Sequence, residues 1–251
     1  MRGLRARGLP GARGLSGARF LPAGIAAAVV VLASASCTSD NGGDSGGDSA
    51  DELDARMADA RDALDDAASI DLQLTTEELP DGVEGLLAAV GVGNHDPAFD
   101  GVVTVRSNAL GTFDADVVAL DGDVYAELPF SAGYTPVDPG RFGAPDPAEL
   151  LAADGGVSDW LTSATQLSDG GETRDGEQVL STVTGTLPGQ SVARLIPSAD
   201  ASADFEAEFR LDDDDQLRGA SITGPFYPGG DDVTYDLSAE PSEDDVEITA
   251  P

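Results

Sequence analysis

The chain has little of what most catalytic and metal-binding sites are made of. Its 251 residues include one cysteine, one histidine and no lysine, so all 13 basic residues are arginine. A single cysteine cannot form an internal disulfide, and a zinc site is not expected without a cluster of His and Cys residues. Aromatic residues make up only 5% of the chain, whereas apolar residues make up 41%. A core of useful size is therefore expected, built mainly from Val, Leu and Ala.

Positive charge is scarce except at the start of the chain. Five of the arginines precede Phe20, and no acidic residue occurs before Asp40. The formal net charge of the whole chain is −34. Such a charge repels nucleic acid and anionic lipid headgroups, so nucleic-acid binding is excluded. The simplest interpretation of the acidic residues is a solvated coat, because acidity alone does not indicate a metal site.

Residues 1–36 have the parts of an export signal. An arginine-rich stretch through Arg19 precedes the apolar run Ala23–Ala35, which is about half the ~20 residues needed to span a bilayer. Small residues then lead to Cys37. This pattern resembles the lipobox of bacterial lipoproteins, although Ser34 stands where the lipobox prefers Leu. The resemblance implies cleavage before Cys37 and lipidation of its thiol; the alternative is a free or buried cysteine. Two acyl chains would hold the protein stably at the outer face of the cytoplasmic membrane.

Residues 37–50 predict a disordered tether between the lipid anchor and the folded part. Their run G-D-S-G-G (Gly43–Gly47) matches the surroundings of a serine-protease nucleophile. A catalytic serine must be held in fixed geometry by a base and an oxyanion hole. The Gly/Ser/Asp stretch has no apolar residue to bury, and the only histidine, His95, is far downstream. The serine is therefore not interpreted as a nucleophile.

Hydrophobic periodicity predicts a helix followed by many strands. Apolar residues recur at helical spacing over Asp51–Ala68, after which the period changes to two from Ile70. In Asp204–Leu211 apolar and charged residues alternate strictly, which is typical of a sheet with one wet face and one buried face. The other predicted strands are Gly101–Arg106, Thr112–Leu120, Val124–Leu128, Gln178–Leu187, Gln216–Thr223 and Val233–Leu237.

Short helices are expected to cover the buried face of this sheet. Further helix candidates are Val83–Val90, Pro147–Ala153, Val157–Ser163 and Ser191–Ile196. Hairpins without strand–helix–strand alternation favour an α+β fold with an antiparallel sheet over a parallel α/β fold. Many inward positions carry small side chains, which leaves either room for close helix packing or space for a ligand. Packing physics alone favours close packing.

No group of residues predicts catalysis or metal binding, and no cofactor is expected. Asp212–Asp215 lacks the spaced ligands of a calcium loop and predicts a hairpin loop instead. His95 beside Asp96 predicts a surface loop pair and not a general base. The chain is therefore predicted not to be an enzyme; a secreted hydrolase with an unfamiliar site is the rival hypothesis.

Several segments taken together resemble the LppX/LprA/LprF/LprG lipoproteins of mycobacteria and related actinobacteria, with LprG the most similar member. They occur in a characteristic order after the lipobox-like start, between Asp51 and Ala239. The acidic residues 240–251 fall outside the resemblance and predict a disordered tail. The segments are Val124–Phe130, Tyr134–Pro139, Phe142–Leu151, Ile222–Pro228 and Asp231–Tyr235.

The resemblance implies a strongly curved antiparallel sheet, or half-barrel, with helices on its concave face and a hydrophobic cavity between them. It also implies a carrier of triacylated glycolipids or triacylglycerol through the cell envelope, with a major-facilitator transporter as partner. The alternative is an envelope binding or signalling lipoprotein with a filled core. If a cavity exists, the inward parity of the strands predicts its lining: Leu72, Leu74, Val103, Val105, Phe113, Ala115, Val117, Val124, Ala126, Val183 and Phe205.

Overall fold

The structure, a computed structural model, describes residues 48–129, 131–176 and 178–251. The described residues contain three α-helices and eleven β-strands. The helices are α1 (Ala50–Asp65), α2 (Ser158–Ser163) and α3 (Gly189–Leu195). The strands are β1 (Ser69–Thr75), β2 (Gly85–Asn94), β3 (Ala98–Ser107), β4 (Gly111–Leu120), β5 (Asp123–Glu127), β6 (Thr135–Val137), β7 (Thr165–Asp175), β8 (Gln178–Pro188), β9 (Asp204–Leu211), β10 (Leu217–Gly224) and β11 (Val233–Ser242).

All eleven strands form one antiparallel sheet in the order β6-β5-β4-β3-β2-β1-β11-β10-β9-β8-β7. Each half of the sheet is a meander in which neighbours in the chain are neighbours in space. The first strand and the last strand pair in the middle, with Leu72 opposite Ala239. The predicted α+β class and antiparallel sheet are confirmed, whereas strong curvature of the sheet stays a prediction.

The alternation in the sequence becomes a buried face and a wet face of the sheet. In β9, Phe205, Ala207, Phe209 and Leu211 are buried, and the residues between them point outward. Successive side chains of a strand lie on opposite faces, so one register places the whole apolar set in the core.

Two predicted helices are wrong. The segment predicted as the helix Val83–Val90 lies largely in β2, which pairs with both β1 and β3. A continuous apolar run does not distinguish a buried strand from a buried helix, and Gly85, Gly91 and Gly93 weaken a helix here. Of the predicted helix Pro147–Ala153, only a 3-10 turn at Glu149–Leu151 forms.

The helices lie over the half of the sheet that contains β7 to β10. Helix α1 packs against α2 and contacts β7 and β10, and α2 and α3 contact β8. Leu53, Met57, Ala60 and Leu64 form the buried stripe of α1. Helix α1 ends at Asp65, three residues before the predicted end.

A segment without strands or α-helices packs over the other half of the sheet. We call residues 138–151 the strap; it contains the 3-10 turns Pro139–Phe142 and Glu149–Leu151. Phe142 and Ala144 of the strap pack against a cluster of Leu86, Ala89 and Val105 on β2 and β3. The inner face of β2 to β5 is therefore covered by apolar strap residues and not by an α-helix.

The last strand continues beyond the predicted domain boundary at Ala239, which falls inside β11. The residues that follow it accept two hydrogen bonds from the sheet: Ser69 Oγ donates to the Asp244 carbonyl at 2.8 Å, and Asn94 Nδ2 donates to the Val246 carbonyl at 3.2 Å. Cys37, the predicted signal peptide and residues 38–47 of the predicted tether lie outside the described residues. Of the remaining tether residues, Ser49 is the N-cap of α1 and Ala50 is its first residue.

The start of α1 provides the first testable prediction. The Glu52 carboxylate accepts hydrogen bonds from the Ser49 backbone N–H and hydroxyl, at 2.8 and 2.7 Å, and these bonds lower the pKa of Glu52. A chain starting at Asp48 should keep the stability of the chain from residue 37. A chain starting at Asp51 loses Ser49 and should be less stable by about 1 kcal/mol in urea unfolding. Equal stability of the two shortened chains would contradict a role for this cap.

Candidate functional site

An apolar pocket lies between the strap and the inner face of β1 to β5. Its described lining contains no polar or charged side chain, and its volume is about 70 Å³. The sheet contributes Leu72, Leu86, Ala89, Phe99, Val103, Val105, Phe113, Ala115, Val117, Val124 and Ala126. Residues after β5 contribute Leu128, Val137, Pro139, Phe142, Ala144, Pro145, Pro147 and Leu150.

Strand register brings the inward residues of neighbouring strands together. Val103 pairs with Ala115, Val105 with Phe113, and Val117 with Ala126. Directly paired residues share a face of the sheet, so each pair presents two apolar side chains to the pocket. Small alanines alternate with larger side chains, which leaves space beneath the strap.

The structure brings eight of the eleven predicted lining residues to this pocket. They are Leu72, Val103, Val105, Phe113, Ala115, Val117, Val124 and Ala126. Leu74 lines a neighbouring cavity instead. Val183 and Phe205 are fully buried in the main core, and neither lines either pocket. They lie in β8 and β9, beneath the helices. Lipid binding by any of these residues stays a prediction.

The predicted lining lacks the residues of β2, the residues of the strap and Phe99. Leu86 and Ala89 were assigned to a helix. Phe99 has the same parity as Val103 and Val105 but lies two residues before the predicted strand start, so extending that alternation backward would have found it. The strap residues have no periodicity that could indicate their position.

A second, smaller cavity of about 30 Å³ shares Leu86, Pro145 and Leu150 with the first. Two buried tyrosines line it. Their hydroxyls lie 2.7 Å apart, and the Tyr235 hydroxyl donates to the Leu86 carbonyl at 2.7 Å. Burial, together with the neighbouring Tyr227, raises the pKa of Tyr235, and burial also raises the pKa of Tyr227. The polar atoms of this cavity are therefore held neutral and hydrogen-bonded.

Replacing Tyr235 with phenylalanine should destabilise the protein. The change leaves the Leu86 carbonyl and the Tyr227 hydroxyl without this partner, which typically costs about 1–3 kcal/mol. The exposed Tyr134→Phe should change stability by less than about 0.5 kcal/mol. Urea unfolding measures both effects, and equal stabilities of the two variants would contradict the role of the pair.

The tyrosine pair also predicts alkaline sensitivity. The folded chain holds the Tyr235 proton more tightly than the unfolded chain, because the folded pKa is raised. The contribution to stability is therefore full below the ordinary tyrosine pKa of about 10 and is lost as the pH rises above it. We expect Tyr235→Phe to reduce this alkaline loss in pH-dependent urea unfolding.

The remaining candidate residues have structural partners. Asp212–Asp215 forms the β9–β10 turn, where the Asp212 carboxylate accepts from the backbone of Asp214 and Gln216 and pairs with Arg218 at 2.7 Å. The described residues contain no group of acidic, His or Cys side chains arranged to hold a metal ion. His95 lies in the β2–β3 turn, and its ring nitrogens contact the carbonyls of Leu64 and Leu151.

Among the described helices, none is long and apolar enough to cross a membrane.

Two solved structures share the fold. LprF from Mycobacterium bovis matches with a TM-score of 0.63 at 14% identity, over 80% of this chain and 97% of that chain. The Mycobacterium tuberculosis lipoprotein LppX matches with a TM-score of 0.58 at 19% identity, over 80% of this chain and 100% of that chain. No curated protein sequence matches. At these identities the structural likeness shows the fold alone.

Sequence similarity to a family model extends over nearly the whole described domain. The model of the LppX_LprAFG lipoproteins matches residues 52–248, from the first turn of α1 to beyond the end of β11. The match includes every strand of the sheet and the strap. The chain therefore belongs to the LppX_LprAFG lipoprotein family, which consists of non-enzymatic, lipid-binding lipoproteins of the actinobacterial cell envelope.

Proposed function

We propose that this protein binds the acyl chains of a triacylated glycolipid or triacylglycerol in the pocket beneath the strap and carries the lipid through the cell envelope. Cys37 is its lipid anchor at the outer face of the cytoplasmic membrane, and residues 38–50, of which Ala50 lies in α1, are the tether. The observation that carries the proposal is the wholly apolar described lining of a pocket between the sheet and the strap.

An apolar pocket suits acyl chains because it needs no specific polar contact. Removing apolar surface from water contributes about 25 cal/mol per Å², so a long chain supplies affinity by its length alone. The lipid headgroup stays at the mouth, in water. The net charge of −34 repels anionic headgroups, which favours an uncharged glycolipid or triacylglycerol over an anionic phospholipid.

The volume of the pocket requires that its walls move apart on binding. A cavity of roughly 150 Å³ holds one benzene molecule, so a pocket of about 70 Å³ is too small for a long acyl chain. The strap is the part best placed to move. In its first part, backbone hydrogen bonds from Gly143 to Gly140 and from Ala144 to Pro139 join residues within the strap, whereas at its end the Val157 N–H donates to the Leu150 carbonyl. Lifting the first part leaves these bonds and the strand pairing intact, and a more strongly curved sheet would deepen the pocket further.

The direct test is to extract the lipid that purifies with the protein. The chain from residue 37, with Cys37→Ala to remove its own acyl chains, is produced in an actinobacterial host and extracted with organic solvent. Mass spectrometry should find a neutral, multiply acylated lipid at near-stoichiometric amounts. Absence of lipid, together with failure to take up such lipids in vitro, would favour a filled-core signalling lipoprotein.

The partner that exchanges lipid with this carrier is a major-facilitator transporter. Crosslinking of the anchored protein in membranes, followed by identification of the crosslinked proteins, tests it. Recovery of such a transporter with the wild type but not with the unanchored Cys37→Ala chain is the expected result.

A further inference from the structure

We propose that Phe99 is the floor of the apolar pocket and sets the length of acyl chain that it accepts. This inference rests on the proposed function. Phe99 is fully buried and lines the pocket, whereas Phe113 and Phe142 of the same lining are only half-buried. The pocket therefore deepens from the half-buried phenylalanines toward Phe99, and a chain entering between them ends against the Phe99 ring.

Small residues on the sheet create the space that the Phe99 ring fills. Gly91 and Gly101 are paired across β2 and β3, and Phe99 itself is paired with Gly93 on one side and Ala119 on the other. A Cβ at Gly91 would lie 2.5 Å from Phe99 Cζ, and one at Gly101 would lie 2.7 Å from it. The ring thus rests against a pair of glycines, and shortening the side chain at position 99 extends the pocket down to the sheet backbone.

A series of saturated monoacylglycerols whose chains differ by one methylene tests whether Phe99 sets the accepted chain length. Each methylene that enters the pocket should tighten binding about fourfold, and affinity levels off once the chain reaches the floor. In Phe99→Ala the affinity should continue to rise beyond the wild-type plateau. Phe209→Ala removes the same atoms from the core beneath the helices and should keep the wild-type plateau.

The outcomes separate this inference from the function on which it rests. No binding of any member by the wild type overturns the proposed function. Binding that levels off at the same chain length in wild type and Phe99→Ala overturns only the role of Phe99 in setting chain length. Phe99→Leu is measured beside Phe99→Ala and should lengthen, by a smaller amount, the chain at which affinity levels off. If Phe99→Ala does not fold, an unchanged limiting chain length in Phe99→Leu overturns the role of Phe99.

A second inference comes from an independent observation at the end of the strap. His95 Nδ1 lies 2.7 Å from the Leu151 carbonyl oxygen, and Nε2 lies 2.8 Å from the Leu64 carbonyl oxygen. A carbonyl oxygen only accepts hydrogen bonds. Neutral imidazole has a single N–H, so in one of the two contacts the lone pair of a ring nitrogen would face a lone pair of the carbonyl oxygen. Only the imidazolium donates to both carbonyls.

Acidic side chains and the end of a helix surround the ring. Leu64 lies in the last turn of α1, where the helix dipole stabilises a cation. Most charged groups on the neighbouring elements are acidic, and the cations on α1, the strap and α3 are Arg56, Arg61, Arg141 and Arg194. Arg56 pairs with Asp48 and Asp215, Arg61 with Asp65 and Asp159, and Arg194 with Asp159. The acidic groups are Asp62, Asp65 and Asp66 on α1, Glu149 and Asp154 around Leu151, Asp96 in the same turn, and Glu247 after β11.

The geometry points to His95 as a proton-operated clasp on the strap. Leu151 is the last residue of the strap, and its neighbour Leu150 lines both cavities. The imidazolium joins this end of the strap to the end of α1. Loss of the proton breaks one of the two bonds and frees the strap to lift from the pocket. Histidine ordinarily changes charge between about pH 5 and 8, so rising pH favours lipid exchange.

The clasp can be observed without any lipid, because His95 is the only histidine of the chain. In the chain from residue 37, carrying Cys37→Ala and no histidine tag, nuclear magnetic resonance at about pH 5.5 should show two hydrogen-bonded ring N–H protons. As the pH rises, one of the two ring hydrogen bonds should be lost, and the carbonyl resonance of Leu64 or Leu151 should shift. The clasp is contradicted if both ring N–H protons exchange freely with water. It is also contradicted if the carbonyl resonances of Leu64 and Leu151 stay unchanged over the pH range.

Lipid release tests the second half of the inference. The rate at which bound monoacylglycerol leaves the wild type should rise several-fold from about pH 5.5 to 8, and His95→Gln should release it at a rate independent of pH. Asp204→Asn, a change at an exposed residue of β9, should keep the wild-type pH dependence. Parallel pH profiles of wild type and His95→Gln overturn the gating role, whereas absence of lipid binding at every pH overturns the proposed function.

Discussion

Replacing Ala115 with tryptophan is expected to abolish lipid uptake while the protein stays folded. Ala115 is buried at mid-strand in β4, lines the pocket and pairs with Val103. The indole would occupy the path of an acyl chain and press against the strap, which can shift outward without breaking strand pairing. We expect lipid occupancy to fall by about tenfold or more, the equivalent of roughly 1.4 kcal/mol in binding free energy. The loss of folding stability should stay near the lower end of the usual 1–3 kcal/mol for overpacking.

The matched control is Ala220→Trp. Ala220 is equally buried, lies in β10 opposite Phe209, and lines neither apolar pocket. Tryptophan there has no cavity to enter, so stability should fall by about 3 kcal/mol or more while the folded fraction keeps its lipid. Lipid occupancy and melting temperature are measured together for both variants. Unchanged lipid content in folded Ala115→Trp would remove this residue from the binding site.

Replacing Cys37 with alanine is expected to release the protein from the membrane or to leave it unprocessed. The thiol is the predicted attachment point of the diacylglycerol, and Cys37 is the only cysteine of the chain. Because stable anchoring requires two acyl chains, loss of the attachment site should move most of the protein out of the membrane fraction. Fractionation followed by immunoblotting measures the distribution, and the mass of the N-terminal peptide shows whether cleavage has occurred.

Ser34→Leu is the control for this prediction, since it makes the residues before Cys37 more like a lipobox. This variant should be processed at least as completely as the wild type and should remain in the membrane fraction. A Cys37→Ala protein that is still cleaved and still bound to the membrane would contradict lipid anchoring through this residue.

The alternating segments of the sequence were sufficient to predict most of the strands and the face that each buries. Polar and apolar residues alternate strictly in β9, and the same parity in β4 and β5 identified Ala115, Val117 and Ala126 as inward-facing. Burial of one face leaves a single workable register in such strands. Eight of the predicted lining residues consequently come together in one pocket.

The segments that were mispredicted lack such a pattern. Strand β2 carries apolar residues at positions of both parities, including Val90, which is 53% exposed, so its run G-L-L-A-A-V-G-V-G-N has no period of two. Strand β7, which is not among the predicted strands, is polar except for Leu167 and two glycines in its sequence T-Q-L-S-D-G-G-E-T-R-D. It is a strand because it pairs with β8 at the sheet edge. In both cases pairing with a distant or neighbouring strand decided the structure, and local sequence carries no record of that pairing.

The sequence by itself determined the acidic composition, the α+β class and the inward parity of the regular strands, and the export signal over residues 1–36 stays a prediction. These are local properties, set by composition and by the period of side chains along a strand. Only the tertiary structure decided where the pocket lies. Its wall is the strap, whose Phe142, Pro145 and Leu150 have no periodicity, and its floor is Phe99, which rests on glycines of two strands. His95 likewise gained its two carbonyl partners from α1 and the strap, 31 and 56 residues away in the chain. Contacts between segments so far apart depend on packing of the whole domain, which no local pattern encodes.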